Sequence, residues 1–430
     1  MGGAESPGPV RTSESPARAL RHRNFRLLWV GSVTSAAGAS IGSIVVVWLV
    51  YFATRSPLAI SLLGVVQFLP TLLFGILAGA LIDRWDRRRL MLACDVARAI
   101  CFGALALFVL FYGANTLVLI GVVFAVAAFS TAFRPATNAT VPRLLPSAEV
   151  MDGNGLLQGG STTASFLGSP FGGVLVVTVG AVVGLALNAF TFAISAAMIF
   201  LMVIPTAPSA SSATGSPRRS LLAAVVEGFR FLRSQRALLL ITLTAMVANF
   251  FLAIWGGFTV IYAAVQLHQG AEGFGILVAA NTAGFAIGAI LPGRLRTDRA
   301  PGIWLIASWG LVGFFILGLA FTSSLLLAVP LTLVAGALLS IGNTTWLSGV
   351  QRTVPDEYLG RYFATDEAGS FAMIPLGIAV GGLLVVFLGI SVAYIIAAAG
   401  GGLINLVLVF SPAVRRWGRE VRPSGSAPTG

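Results

Sequence analysis

The chain has 430 residues, of which 57% are hydrophobic and only 10% are charged. A soluble domain normally carries about 25% charged residues. This chain therefore has too few charged residues to form the water-exposed surface of a soluble protein of its length. The formal net charge is +12, and every basic residue is an arginine. Because the arginines fall between apolar runs, membrane topology explains them better than nucleic-acid binding does. We therefore predict an all-α polytopic membrane protein with no nucleic-acid partner.

The chain begins with a segment rich in Gly, Pro and Ser, which predicts a disordered tail over 1–19. Twelve apolar runs of membrane-spanning length follow in two sets of six. The spans are predicted near 25–52, 58–82, 90–112, 115–137, 156–178, 180–204, 237–265, 271–293, 302–320, 324–349, 368–388 and 390–411. The predicted organisation is a first half at 20–204, a linker at 205–236, a second half at 237–411 and a tail at 412–430.

The linker has two parts of different composition. Its first part is rich in Ser, Ala and Pro, which favours a flexible connection. Its second part is basic and amphipathic, so it either lies on the anionic membrane surface or extends span 7 as a helix.

The arginines predict the orientation of the spans. If the spans alternate in direction, all but Arg55 and Arg98 of the 27 arginines fall on one side of the membrane. The positive-inside rule places that side in the cytoplasm, with both termini there. The expected location is the inner (plasma) membrane, in contact with membrane lipid.

The two halves also share landmarks at a nearly constant offset. Gly79 and Gly293, each two residues before a leucine, end spans 2 and 8 and lie 214 residues apart. The Val-Pro pairs beginning at Val141 and Val354 lie 213 residues apart. This spacing indicates a duplicated six-helix unit.

The loop after span 2 concentrates charge at the membrane surface. It reads GALIDRWDRRR from Gly79 to Arg89, and Asp83 can accept hydrogen bonds or pair with an arginine. Composition alone favours a basic anchor without further function. Its order resembles the signature between helices 2 and 3 of the major facilitator superfamily of transporters. The resemblance implies the two-half major facilitator fold and a cytoplasmic latch that includes Asp83 and Arg87. The candidate latch residues are Gly79, Asp83, Arg84, Arg87 and Arg88, with Asp366 and Glu367 as partners because these two acids begin span 11 at the cytoplasmic face.

Three further segments resemble the drug:proton antiporter branch of that superfamily, which includes macrolide and enterobactin exporters. Residues 133–146 are similar to its helix 4–5 loop, and residues 351–361 to its helix 10–11 loop. The antiporter-like motif in span 5 consists of Gly168, Pro170, Gly172 and Gly173. In this branch the motif is associated with export, although plain helix packing also explains glycine and proline in a membrane helix.

Ionisable residues inside the membrane are few. Asp95 and Arg98 share a face of span 3, where they form either a structural ion pair or a site of proton coupling. No acid is predicted near the midplane of any span, which weighs against proton antiport. Cys94 and Cys101 lie in the same span and predict neither a disulfide nor a metal site.

The resemblance implies that spans 1, 4, 7 and 10 line a substrate cavity. The candidate cavity residues are Thr34, Trp48, Asn249, Trp255 and Asn343. Such a cavity is mostly apolar with a few hydrogen-bonding groups, which suits a neutral or cationic amphipathic compound. Each of these side chains, taken alone, also fits a helix-packing contact.

We predict a monomeric secondary transporter that exports apolar or amphipathic small molecules by alternating access, with a proton as the exchanged ion. The alternative is a carrier of a native metabolite or lipid that is uncoupled or differently coupled. A membrane enzyme is disfavoured because the spans contain no cluster of catalytic side chains, and we expect no metal or cofactor. Nucleotide-driven transport is disfavoured because no phosphate-binding Gly-Lys-Ser/Thr loop occurs.

Overall fold

A computed structural model describes residues 16–146, 149–203, 229–230, 232–354 and 356–418. Long helices dominate this part of the chain. The first half contains α1 (Arg23–Thr54), α2 (Pro57–Arg84), α3 (Arg87–Tyr112), α4 (Thr116–Leu144), α5 (Val150–Thr178) and α6 (Ala181–Leu201). The second half contains α7 (Arg236–Gly257), α8 (Ala271–Leu295), α9 (Pro301–Phe321) and α10 (Leu325–Thr353), followed by the helical stretch Asp356–Leu408.

That last stretch is two helices joined at Gly389. The glycine has φ 82° and ψ 165°, a conformation outside the helical region that suits glycine because it lacks a Cβ. We call residues 356–388 α11 and residues 390–408 α12. The break coincides with the predicted boundary between spans 11 and 12.

Within the described residues, nine helical segments are long and apolar enough to cross a membrane. One of them, Ala372–Leu408, runs through α11 and α12 together. The arrangement is that of an all-α membrane protein in two halves, and it is consistent with the twelve predicted spans.

Local side chains cap the turns before two helices of the first half, with Asp86 at α3 and Asn115 at α4. The loop predicted at Gly79–Arg89 reduces to Trp85 and Asp86, because α2 continues to Arg84 and α3 starts at Arg87. Asp86 is the N-cap of α3, where its carboxylate accepts a 2.8 Å hydrogen bond from the backbone N–H of Arg89. A short polar cap therefore closes the turn between α2 and α3.

Two predicted boundaries differ in detail from the structure. Residues Pro16–Arg21 form a 3-10 helix with Ala19 fully buried, so the first tail is ordered before residue 19. Helix α4 continues through Pro135 and Pro142 to Leu144, because a membrane helix can tolerate proline when neighbouring helices pack against it. Residues 1–15, 204–228 and 419–430, and most of the linker with them, lie outside the described part of the chain.

Parts of the predicted tail (412–430) and of the predicted linker (205–236) are helical and packed against the second half. After α12, a short helix α13 (Pro412–Arg416) places Val414 and Trp417 against the ends of α9 and α10. Both side chains are buried there. At the linker, residues 232–234 are helical and Leu232 is buried, but non-helical Gln235 separates them from α7. The second part of the linker therefore does not extend span 7 as one continuous helix.

We call the end of the bundle that carries residues 16 and 418 the tail end, and the opposite end the far end. The two halves contact each other through α5 with α8 and α2 with α11. On α2, the Ser61 hydroxyl donates a 3.0 Å hydrogen bond to the carbonyl oxygen of Ile378 on α11. On α5, a Cβ built on Gly173 would lie only 2.6 Å from the Cα of Gly275 on α8. These contacts join the halves towards the far end.

Candidate functional site

A buried ion pair lies inside the first half. Asp95 and Arg98, one turn apart on α3, form a direct salt bridge, and their side chains are 0% and 6% exposed. The second carboxylate oxygen of Asp95 accepts a 2.6 Å hydrogen bond from the Ser195 hydroxyl on α6. Both oxygens of the carboxylate therefore have a donor, which is what a buried charge requires.

Two aromatic rings enclose the cationic partner. The Arg98 guanidinium lies 4.1 Å from the ring centroid of Phe133 on α4 and 4.7 Å from that of Phe192 on α6. A desolvated cation over an aromatic face contributes about 2 kcal/mol. The ion pair on α3 thus contacts both α4 and α6, and all of its described partners belong to the first half.

A line of small residues on α1 faces a line of polar residues on α6. Gly31 and Gly38 allow α6 to approach closely, since a Cβ on them would lie 3.2 Å from Ser195 Oγ and 2.9 Å from Asn188 Oδ1. The side-chain amide of Asn188 is fully buried, and neither of its polar atoms has a hydrogen-bond partner among the described residues. The glycines on α1 therefore make room for the polar face next to the ion pair.

An open cavity of about 970 Å³ lies along the other side of α1, against α5. One stripe of α1 and one stripe of α5 line it, at the spacing of one helix face. The lining residues are Trp29, Val33, Ala37, Ile41, Asp152, Gly155, Leu156, Gly159, Gly160, Thr163, Ala164, Leu167, Gly168 and Phe171. It extends from the tail end, at Trp29 and Asp152, towards the middle of the bundle. Its volume matches the pockets of about 300–1,000 Å³ that hold drug-sized ligands.

Glycines of the predicted span 5 motif set the packing around this cavity. A Cβ on Gly168 would lie 2.5 Å from the carbonyl oxygen of Ala37, and a Cβ on Gly172 would lie 3.0 Å from the Cα of Ile41. Gly173 faces the second half at Gly275. Three motif glycines therefore join α5 to α1 on one side and to α8 on the other. The side chain of Pro170 lies outside the described part.

The residues predicted to form the latch are only partly described. Gly79, Asp83 and Arg84 end α2, and Glu367 lies in α11, but their surroundings are outside what the structure describes. Arg87 donates a 2.7 Å hydrogen bond to the carbonyl oxygen of Ala139 on α4. Arg88 donates to the carbonyl oxygens of Ile199 and Phe200 at the end of α6.

Asp366, the other predicted latch residue, is buried near the tail end of the second half. Its carboxylate accepts a 3.1 Å hydrogen bond from the Thr242 hydroxyl on α7. Tyr362, one turn before it, contacts the same hydroxyl at 3.3 Å and accepts a 3.2 Å hydrogen bond from the Trp346 indole. Burial raises the pKa of Tyr362 to about 12, with a further contribution from the Asp366 charge, so this phenol stays neutral.

The five candidate cavity residues have different surroundings. Trp255 is buried, and Asn343 accepts a 3.1 Å hydrogen bond from the indole of Trp309 on α9. Thr34, Trp48 and Asn249 are half-buried. None of the five is among the residues that line the cavity between α1 and α5. Three lining residues were not predicted from the sequence. Asp152 and Thr163 lie on α5, which was not expected to line the cavity, and Trp29 lies at the tail end of span 1, away from its midplane.

The described residues contain no cluster of His, Cys, Asp or Glu that could hold a metal ion. His22, at the start of α1, is 2.9 Å from the carboxylate of Glu149 just before α5. This contact joins the tail ends of the two helices that line the cavity.

Comparison with known proteins decides the family. The family model described as "Transmembrane secretion effector" matches residues 14–428, nearly the whole chain. The chain belongs to this family of major facilitator superfamily transporters. The superfamily resemblance of the Gly79–Arg89 segment is thereby confirmed.

Curated relatives span the same length. An uncharacterized MFS-type transporter, YfiS, of Bacillus subtilis is 28% identical over 352 residues, covering 79% of this chain and 81% of the relative. The multidrug efflux pump Tap of Mycolicibacterium fortuitum is 24% identical, covering 92% and 98%. Macrolide efflux protein A of Streptococcus pyogenes is 24% identical, covering 91% and 95%. These relatives are transporters, which favours the prediction that the chain is not an enzyme.

A solved structure shares the fold. The crystal structure of the nucleoside transporter NupG superposes with a TM-score of 0.67 at 14% identity, covering 90% of this chain and 99% of the other. The predicted major facilitator fold is confirmed by this likeness.

Proposed function

We propose that the protein exports amphipathic small molecules across the plasma membrane of a bacterium by alternating access, in exchange for protons. The observation that carries the proposal is the drug-sized cavity between α1 and α5 in a chain that belongs to a family of major facilitator superfamily transporters. Two relatives named as efflux pumps, which match more than nine-tenths of this chain, support export as the direction.

The packing of the halves supports alternating access. Ser61 with Ile378 and Gly173 with Gly275 join the halves towards the far end. The cavity reaches the tail end, at Trp29 and Asp152. Two rigid six-helix halves that rock about a site between them would close this end and open the other. The arginine distribution supports a cytoplasmic tail end, so this state would accept substrate from the cytoplasm.

The latch is part of the proposal. In the state closed at the tail end, Asp83, Arg84, Arg87 and Arg88, with Gly79 allowing close approach, would meet Asp366 and Glu367 of the second half. Carboxylate–guanidinium pairs are directional and charge-assisted, so they would stabilise that state when the halves come together.

The residues Thr34, Trp48, Asn249, Trp255 and Asn343 remain proposed cavity residues. They would line the substrate path once the halves rearrange. Their combination of indole rings with hydroxyl and amide groups suits an amphipathic molecule.

Coupling to protons needs an acid that can load and release a proton. Asp95, with Arg98, remains a candidate, but both of its oxygens are bonded and its side chain has no exposed surface. This geometry supports an ion pair that holds the first half together. It also favours the second candidate function, a carrier that is not coupled to protons.

One experiment separates the two functions. Purified protein is reconstituted into liposomes, and uptake of a fluorescent amphipathic dye is followed with the vesicle interior acidic. Proton antiport predicts dye accumulation that nigericin abolishes by collapsing the pH gradient. Equal transport with and without the gradient would support the uncoupled carrier, and no transport of any amphipathic dye would reject export.

A further inference from the structure

Among the described residues that line the cavity between α1 and α5, one side chain is charged. Asp152, in the first turn of α5, is half-buried, and it makes no hydrogen bond or ion pair with any residue that the structure describes. Arginine is absent from the described lining, although it is the only basic side chain besides histidine in the protein. A carboxylate at the mouth of an apolar cavity, with no arginine in the described lining, leaves a negative charge with which the cationic group of a ligand can pair.

The rest of the lining is suited to the apolar body of a ligand. Val33, Ala37, Ala164 and Leu167 form the apolar walls beyond the mouth, with Thr163 between them. Trp29 borders the tail end of the cavity, where its indole N–H donates a 2.9 Å hydrogen bond to the carbonyl oxygen of Leu156. That bond fixes the position of the ring, and an aromatic ring in the lining of an apolar cavity favours a ligand cation with an apolar surround.

Two glycines leave space in the same lining. A Cβ added at Gly155 or at Gly159 would meet nothing within 4 Å, whereas a Cβ at Gly160 would lie 2.7 Å from the Trp29 indole nitrogen. Gly155 and Gly159 are therefore not needed for helix packing in this state. They widen the cavity next to Asp152, where the charged end of a ligand would enter.

We propose that Asp152 is the residue that selects amphipathic monocations as substrates, by pairing with the cationic group while the apolar part occupies the cavity beyond it. The inference rests on the proposed export function and narrows its substrate class. A neutral ligand of the same shape would gain only the apolar contacts and would depend little on Asp152.

The test uses the purified full-length protein and radiolabelled tetraphenylphosphonium, with triphenylphosphine oxide as the uncharged probe. Asp152→Asn is expected to weaken tetraphenylphosphonium binding about fivefold, the size expected for a half-exposed ion pair. Asp152→Glu should retain binding, and the neutral probe should bind both variants as it binds the wild type.

Glu149→Gln is the matched control, because it removes one negative charge three residues away, on a side chain that pairs with His22 outside the lining. It should leave tetraphenylphosphonium affinity unchanged. Gly159→Leu should weaken both probes, because it fills the cavity without a backbone clash. Equal losses of cation affinity in Glu149→Gln and Asp152→Asn would overturn the inference, as would unchanged binding in Asp152→Asn.

Transport distinguishes this inference from the function on which it rests. Wild-type liposomes that transport tetraphenylphosphonium, with an Asp152→Asn variant that transports it equally well, would refute the role of Asp152 and leave export intact. Wild-type liposomes that transport neither probe would refute export itself. A wild-type protein that binds neither probe but copurifies with phospholipid in the cavity would overturn the proposed occupant.

Discussion

The two halves have the same architecture but different interiors. Gly79 and Gly293 mark equivalent positions of the two halves and lie 214 residues apart. The same spacing pairs Asp95 of α3 with Trp309 of α9, and Arg98 with Val312. In the first half these positions form a buried ion pair held by Ser195 and two aromatic rings. In the second half Trp309 donates a neutral hydrogen bond to Asn343, and Val312 is buried in apolar packing.

This difference suggests that the duplicated unit has diverged in chemistry more than in shape. An ion pair removed from water requires good geometry on all sides, and losing one partner is costly. Removing a neutral tryptophan–asparagine hydrogen bond costs less folding free energy than breaking a buried ion pair. The charged cavity residue Asp152 also belongs to the first half. We therefore expect the interior of the first half around Asp95 and Arg98 to be more sensitive to a single substitution than the matching interior around Trp309.

Arg98→Leu should have the largest effect on stability. It leaves the Asp95 carboxylate buried with only the Ser195 hydroxyl as donor, and breaking a buried ion pair costs about 3–5 kcal/mol. Thermal unfolding in detergent should show a marked fall in Tm. The double variant Asp95→Asn with Arg98→Leu should recover part of that loss, since no buried charge remains. Equal Tm values for the single and double variants would show that the two charges do not depend on each other.

Gly173→Leu tests whether the contact between α5 and α8 at the far end determines how far apart the two halves lie at the tail end. The new side chain would meet the backbone at Gly275, at an overpacking cost of about 1–3 kcal/mol. That cost would shift the balance towards the state open at the far end by about 5- to 150-fold. Spin labels at positions 89 and 298, both exposed at the tail end, should then move closer together.

The control for this change is Gly121→Leu on α4, where an added Cβ meets nothing within 4 Å. It should leave the distance between the labels and the transport rate unchanged. An unchanged distance in Gly173→Leu would argue against the far-end contact as a determinant of the resting state.

Asp83→Asn compares the latch position with its counterpart in the second half, Thr297. The variant should insert normally but transport at least about fivefold more slowly, as expected when a charge pair of about 1 kcal/mol is lost. Thr297→Val removes only a 3.3 Å hydroxyl contact with Thr345 and should have a smaller effect. Dye efflux normalised to the amount of protein in the membrane measures both, and full activity of Asp83→Asn would remove the latch role.

Trp309→Phe should have the smallest effect. It removes the hydrogen bond to Asn343 and keeps most of the aromatic packing, at a cost of about 1 kcal/mol. The change in Tm should be a fraction of that caused by Arg98→Leu. A fall in Tm as large as that caused by Arg98→Leu would contradict the claim that the neutral interior around Trp309 is less sensitive than the ion pair of the first half.

Much of the fold followed from hydrophobic patterning, including the break at Gly389. The site was harder to predict because its contacts are distant in sequence. Ser195 lies 100 residues from Asp95, and pattern alone does not show that this hydroxyl would satisfy the carboxylate. Asp152 was not predicted because it precedes predicted span 5, which was placed at 156–178, whereas α5 begins at Val150. Only the packing of α1 against α5 shows that it borders a cavity.

A cryo-electron microscopy map of the full-length protein with tetraphenylphosphonium bound tests most directly whether the first half holds the substrate. The account predicts ligand density between α1 and α5, with the phosphonium near Asp152 and a phenyl group against Ala37 or Leu167. Density that contacts Asn249, Trp255 and Asn343 of the second half but not α5 would contradict it.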